Sequence, residues 1–173
     1  DGNVIEVYAS RIVDRVLRKV DYLFDLHTAS QGRINSYYIR ADLRRKQVKE
    51  LALLQNAQII VHNPPRDGTF RGAADDLKIP ALTLELGNPS TYQRSLIRSG
   101  IAGIENAMVH LGMIKGEIKT AETEPVLCSS SYWIYTDEGG LLTVHPSITD
   151  IVNKGDLIAS QQDIFGDEIR QYY

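Results

Sequence analysis

Apolar residues recur along this chain with two different periods, and the places where the period switches divide it. Ile5, Tyr8, Ile12, Val16 and Val20 stand three or four residues apart. That spacing predicts an amphipathic helix over about residues 4–19, with Arg11, Asp14, Arg15 and Arg18 on its wet side. The run Val20-Asp21-Tyr22-Leu23-Phe24 follows at once and reads as a buried strand reaching Leu26. Residues 29–41 are rich in Gly, Asn, Tyr and Arg and read as too polar for a core. A second helix is expected from Ala41 to about Asn56, with Leu43, Val48, Leu51, Ala52 and Leu54 inward.

The alternation then continues. Ala57-Gln58-Ile59-Ile60-Val61 predicts a second buried strand, and Asn63-Pro64-Pro65-Arg66-Asp67-Gly68 a loop by its turn chemistry. Phe70 to Leu77 predicts a short helix, ended before Pro80. Ala81-Leu82-Thr83-Leu84-Glu85-Leu86 predicts a third strand, stopped by Gly87-Asn88-Pro89. Ser90 or Thr91 is placed to cap the next helix. Its expected inner stripe is Leu96, Ile97, Ile101, Ile104, Met108 and Leu111, and Gly112 ends it.

Helix and strand alternating in this way predict an α/β fold: a mainly parallel or mixed sheet flanked by helices over residues 1–113. After Met113 the helical period stops. Short β-rich pieces follow at residues 114–118, 131–136, 141–144 and 157–159, with a hairpin signal at Asp137-Glu138-Gly139-Gly140. Residues 114–173 are therefore expected to form a small all-β domain.

Composition narrows the function classes. The 173 residues are 43% hydrophobic and 24% charged, enough to bury a core. A net charge of −3 implies no general attraction to nucleic acid or to an anionic membrane. The basic run Arg44-Arg45-Lys46 with Lys49 is interrupted by Asp42 and Glu50, so it reads as a solvated helix face. No apolar run approaches the roughly 18 residues of a membrane span, and no targeting segment is visible. The single cysteine, Cys128, rules out an internal disulfide and a multi-cysteine metal site, which suits a reducing cytoplasmic setting. The first residue is Asp1 rather than Met, and a helical pattern begins almost at once, so a preceding segment is expected.

Three residues stand where α/β enzymes place their chemistry, at or near strand C-termini. His27 ends the first strand in Asp25-Leu26-His27-Thr28, just before a Gly-containing loop. It is either a strand-capping histidine or a metal ligand. Glu85 sits among apolar neighbours in Thr83-Leu84-Glu85-Leu86-Gly87. A carboxylate there is expensive to bury unless paired or coordinated, which suits either a general base or an ion pair, with Arg71 as partner, or a cap on the next helix. Arg71 lies in the short helix before the third strand. A catalytic zinc takes three protein ligands. Of the other histidines, His110 and His145 read as surface residues, and His62 at the end of the second strand is the one plausible second ligand.

These pieces together resemble the succinylglutamate desuccinylase/aspartoacylase family, which has the zinc carboxypeptidase fold. The resemblance rests on Asp25-Leu26-His27-Thr28, Gly32-Arg33-Ile34-Asn35, Tyr38-Ile39-Arg40-Ala41-Asp42-Leu43 and Ile79-Pro80-Ala81-Leu82-Thr83-Leu84-Glu85-Leu86-Gly87. It extends through His110-Leu111-Gly112-Met113 to Lys154-Gly155-Asp156 and Asp163-Ile164-Phe165-Gly166. It implies zinc as cofactor with His27 as its third ligand, Glu85 as the base that activates a metal-bound water, and Arg71 as the arginine that orients the substrate. The family's other two ligands come from a His-x-x-Glu motif in an upstream segment that this sequence lacks. The implied activity is hydrolysis of the amide bond of an N-acyl amino acid or related N-acyl amine. The loop Asn88-Pro89-Ser90-Thr91-Tyr92-Gln93 departs from the aspartoacylase pattern and leaves the acyl group and the amine open.

Two other functions compete. A metallocarboxypeptidase-type peptide hydrolase shares the fold and the zinc–glutamate chemistry. A non-catalytic module, either a degenerate relative or a carrier, would draw on Val152-Asn153-Lys154-Gly155-Asp156-Leu157-Ile158, which is similar to half of a biotinyl or lipoyl domain. The carrier motif around a hairpin-tip lysine is missing. The expected partner is a small-molecule substrate, with no nucleic acid and no membrane. The β domain is expected to cover part of the active-site mouth or to make a contact in a homo-oligomer.

Overall fold

The computed structural model describes residues 2–66 and 68–173. Asp1 and Asp67, the latter in the loop expected at residues 63–68, lie outside the described residues. The chain divides into two compact units, residues 1–131 and 132–173.

The first unit is a five-stranded mixed sheet with helices on both faces. Its strands are β1 (Leu23–His27), β2 (Tyr37–Ala41), β3 (Ile59–His62), β4 (Ala81–Leu86) and β5 (Val126–Cys128), in the order β1-β4-β2-β3-β5. β4 runs parallel to β1 and antiparallel to β2, and β3 is parallel to both β2 and β5. β4 is thus an inner strand between the two segments that flank the glycine-containing loop.

Strand alternation sets the two faces. One face carries Phe24, Leu82, Leu84, Ile39, Tyr37, Ala41 and Ile60, packed against α2 (Lys46–Leu53) and α4 (Arg94–His110) through Val48, Leu51, Ala52 and Ala107. The opposite face is apolar at one end and along β3, where Ile59 and Val61 point the same way. At that end Leu23 and Ala81 pack with Leu17, Ala74 and Ile79, beside α3 (Phe70–Asp76). Polar positions on this face are Asp25 and His27 on β1, Thr83 and Glu85 on β4, and Tyr38 and Arg40 on β2.

The largest departure from the sequence reading is β2. Residues 37–41, expected in a stretch too polar for a core, form a strand with neighbours on both sides, and Tyr37, Ile39 and Ala41 are buried. The polar residues of that stretch, Tyr38 and Arg40, all face one way. The second helix is shorter than expected, starting at Lys46, because β2 and a turn occupy its predicted beginning. The basic residues at and just before its start are paired: Arg44 with Asp42, Arg45 with Asp75, and Lys46 with Glu50.

α1 (Val4–Arg15) forms with Asn3 as cap, whose side chain accepts from the backbone N–H of Ile5 and Glu6 while Glu6 accepts from Asn3. The predicted stripe is present but not buried. Ile5 and Tyr8 are exposed, and the anchor is Leu17, fully buried in the 3₁₀ turn after the helix. α4 also seats differently. Its buried positions are Gly100, Gly103, Asn106 and Ala107, while Ile97 and Ile101 of the expected stripe are exposed. Glycines let the helix axis approach Leu86 and Gln55 closely. Its N-cap is Gln93 rather than Ser90 or Thr91, and Gln93 instead accepts from the Asn88 N–H. Gly112, with φ +70°, ends the helix as expected.

The boundary expected near residue 113 moves to 131. Asn106 clamps the backbone of Lys119 at both N–H and C=O, and β5 then joins the main sheet, so residues 114–131 go with the first unit. The second unit is a three-stranded antiparallel sheet of β6 (Leu141–Val144), β7 (Ala159–Gln162) and β8 (Glu168–Tyr172). Buried Gln161 knits it, donating to the Glu138 carbonyl and accepting from the Tyr172 hydroxyl. The pieces expected as strands at 114–118 and 131–136 are not strands.

Candidate functional site

The polar part of the second face is the candidate site. β1 and β4 are in register, so His27 lies directly beside Glu85, and Tyr38 of β2 lies on the other side of Glu85. Adjacent strands are about 4.8 Å apart, so these three residues make one row across the sheet. Asp25, Thr83 and Arg40 make the next row on the same face.

His27 is half exposed, and its Nε2 lies 3.0 Å from Asp25 Oδ2. Residues two apart on a strand share a face, which is why Asp25 reaches the ring. A carboxylate on one ring nitrogen fixes an imidazole and leaves the other nitrogen open, the usual arrangement behind a metal-ligating histidine.

Glu85 is 5% exposed. Its Oε1 lies 2.9 Å from Arg40 Nη2, and its Oε2 accepts from Asn35 Nδ2 at 3.1 Å. Asn35 is itself held, its backbone N–H donating to Asn88 Oδ1. Glu85 is therefore a buried carboxylate with each oxygen engaged, but its cation is Arg40 and not the Arg71 weighed from sequence, and it caps no helix. Arg40 and Asn35 were missed as site residues because they lie in the stretch read as a polar loop. The signal that finds Arg40 is the period-two pattern Tyr37, Ile39, Ala41 around it.

Arg71 is 8% exposed on α3, whose N-cap Thr69 accepts from the Gly72 N–H at 2.9 Å. Its guanidinium donates to the Asn63 carbonyl at 3.0 Å, to Asn63 Oδ1, and to the Arg40 carbonyl at 3.4 Å. Burial lowers its pKa, the charge of Arg40 lowers it further, and Asp25 and Asp42 act the other way. Among the described residues no carboxylate lies within salt-bridge distance of it. A buried guanidinium whose partners among the described residues are neutral acceptors is suited to an incoming anion or carbonyl oxygen.

His62 does not join His27. It pairs with Ala41 on the core face, three residues along the strands from the row of Tyr38, or roughly 10 Å at 3.3 Å per residue. Its Nδ1 instead accepts from the Leu43 N–H at 3.2 Å and lies 3.8 Å from Asp42. Among the described residues no group of three His, Cys, Asp or Glu side chains converges to hold a metal ion. His27 fits as one nitrogen donor, but these residues do not complete a three-ligand zinc site. None of the described helices is long and apolar enough to cross a membrane.

A buried carboxylate at a strand end, an imidazole in register beside it and a buried arginine on the preceding helix, α3, are groups that hydrolytic sites on α/β scaffolds use. The sequence matches the profile of the succinylglutamate desuccinylase/aspartoacylase catalytic domain over residues 2–111, and the chain belongs to that family. Solved structures share its fold. The ectoine utilization protein EutE (DoeB) from Ruegeria pomeroyi superposes with a TM-score of 0.87 at 21% identity, over 99% of this chain and 57% of that one. A succinylglutamate desuccinylase from Silicibacter sp. TM1040 gives 0.84 at 19% identity, over 99% and 55%. An aspartoacylase family protein from Mesorhizobium loti gives 0.71 at 17% identity, over 97% and 61%. The chain thus spans somewhat more than half the length of these structures. No curated protein matches it.

Proposed function

We propose that this chain carries part of the active site of a zinc-dependent deacylase that hydrolyses the amide bond of an N-acyl amino acid or related N-acyl amine. The observation that carries the reading is the pairing of His27 with buried Glu85 on adjacent parallel strands, in the polar part of one sheet face. The family to which the chain belongs, whose named members remove acyl groups, supports it.

In this reading Glu85 takes a proton from the attacking water and returns it to the leaving amine nitrogen. Its burial and its two fixed donors hold the carboxylate in one orientation. Arg71 binds the carbonyl oxygen or a carboxylate of the substrate. His27, braced by Asp25, is one zinc ligand, and the remaining ligands lie outside the described residues. Zinc, when bound, polarises the acyl carbonyl and acidifies water. The free cysteine, Cys128, suits a cytoplasmic setting.

The test is hydrolysis by the complete protein of a panel of N-acetyl and N-succinyl amino acids alongside unmodified peptides, with zinc content measured. Deacylation is expected, and Glu85→Gln should lower kcat by roughly 10²–10⁴-fold with zinc retained. Normal turnover by that variant would remove Glu85 as base. Peptide cleavage without deacylation would move the chain to carboxypeptidase chemistry.

A further inference from the structure

Arg40 stands on a strand with neighbours on both sides, flanked by the buried residues Ile39 and Ala41. A guanidinium in that setting needs partners, and both of its partners belong to the site. The same nitrogen, Nη2, lies 2.8 Å from the Tyr38 hydroxyl, to which it donates, and 2.9 Å from Glu85 Oε1. The guanidinium carbon also sits 5.6 Å from the centre of the Tyr38 ring. The register explains the reach. Arg40 pairs with Thr83, one row behind Glu85 on the same face, so its side chain runs forward along the face to the carboxylate.

We propose that Arg40 is the positioning residue of this site: it holds the Glu85 carboxylate in its working orientation, and Tyr38 holds Arg40. The inference rests on the reading of Glu85 as the general base. A glutamate has three side-chain torsions, so two fixed points are needed to set its carboxylate plane. Asn35 supplies one on Oε2 and Arg40 the other on Oε1. Arg40 is the charged point of the two, and arginine keeps its charge across the working pH range. A lysine could supply the charge, but its flexible ammonium lacks the rigid plane that fixes where the Nη2 donor lies. The Glu85 side chain is 6% exposed and that of Arg40 39%, so the hold comes from the open side of a buried base. Two rival roles follow from the same geometry: Arg40 could instead bind substrate directly, or be a purely structural ion pair.

The experiment separates them by steady-state kinetics of the complete protein carrying Arg40→Met, Arg40→Lys or Tyr38→Phe, with thermal unfolding of each. A base displaced by about 1 Å loses on the order of 10²-fold in rate. Arg40→Met should therefore lower kcat by roughly 10–10²-fold with KM within about twofold. Arg40→Lys should recover part of that loss, Tyr38→Phe should show a smaller loss of the same kind, and guanidinium chloride at non-denaturing concentration should partly restore Arg40→Met. A raised KM with unchanged kcat would make Arg40 a substrate contact and overturn the proposal. A lowered melting temperature with unchanged kcat would make it structural, with the same consequence. Unfolding of Arg40→Met, Glu85→Gln and the double variant reads the pair without substrate, and the double variant should melt higher than additivity of the two singles predicts. Additive losses would show that the two side chains are not coupled. Wild-type protein that deacylates nothing would instead overturn the proposed function, a result distinct from an active wild type whose Arg40 variants turn over normally.

Discussion

Gly103 is where α4 meets the rest of the first unit most closely, and substituting it by alanine tests that seat. A Cβ there would lie 2.8 Å from Gln55 Cα, 2.9 Å from Gln55 O and 2.7 Å from Gln55 Oε1. Two of these are backbone atoms, and Gln55 is fully buried, with its carbonyl already accepting from the Tyr37 hydroxyl at 2.9 Å. The side chain cannot swing away to make room. Ordinary contact begins at 3.4 Å, so α4 must retreat by about 0.6 Å from the Gln55 backbone. Overpacking of this kind costs about 1–3 kcal/mol, and rigid backbone neighbours put this site in the upper half of that range. Opposing it, alanine favours the helix over glycine by about 1 kcal/mol. The net expectation is a loss of about 1–2 kcal/mol, or a melting temperature lower by roughly 2–8 °C. Gly100→Ala is the internal control. Its Cβ would meet only Leu86 side-chain carbons, at 3.1 and 3.3 Å, which can rotate, so the helix gain should offset most of the strain. Urea unfolding of both variants measures the difference. A Gly103→Ala protein as stable as wild type, or less destabilised than Gly100→Ala, would refute the packing argument.

Further outcomes are expected at four residues. Tyr37→Phe should cost about 1–3 kcal/mol, because it leaves the buried Gln55 carbonyl without its donor. Burial raises the pKa of the Tyr37 phenol, so the folded state keeps its proton while the unfolded chain loses it above about pH 10; stability should fall with rising alkalinity there, and less steeply in Tyr37→Phe by pH-dependent denaturation. Asp42 shows the opposite sign. Its hydrogen bonds with Arg44 lower its pKa, so its contribution is present above an unfolded value of about 3.9 and is lost as acid titrates the folded carboxylate; the melting-temperature gap between wild type and Asp42→Asn should close below that pH. His27→Ala should abolish zinc binding measured by metal analysis, and unchanged metal content would remove His27 from the site. Arg71→Met should raise KM for carboxylate-bearing substrates more than it lowers kcat, since the interaction assigned to it is formed in the bound ground state as well.

Much of the fold was legible because burial on a sheet or helix leaves a period. The strand at 81–86 and the helix end at Gly112 could be read residue by residue. His27 and Glu85 were legible as candidates for the same reason, as polar residues at the ends of apolar runs. What hid β2 was its mixed composition. A strand that buries Tyr37, Ile39 and Ala41 while presenting Tyr38 and Arg40 has too little apolar character to look like a core strand. Glycine misled in the other direction. A helix that packs through Gly100 and Gly103 has no apolar side chain where it touches most closely, so the stripe drawn through Ile97 and Ile101 fell on solvent.

The sequence by itself determined the helices and the strands β1, β3 and β4, and marked His27, Glu85 and Arg71 as candidates, since these depend on local periodicity and on the cost of burying charge. Only the tertiary structure decided which of those residues meet. Placing β4 between β1 and an antiparallel β2 puts His27, Glu85 and Tyr38 in one row and brings Arg40 to Glu85. The same arrangement sends His62, on β3, to the other face, while Arg71 is buried with no carboxylate within salt-bridge distance among the described residues. Strand order and direction are non-local properties. They are fixed by how whole faces pack, and no spacing along the chain records them.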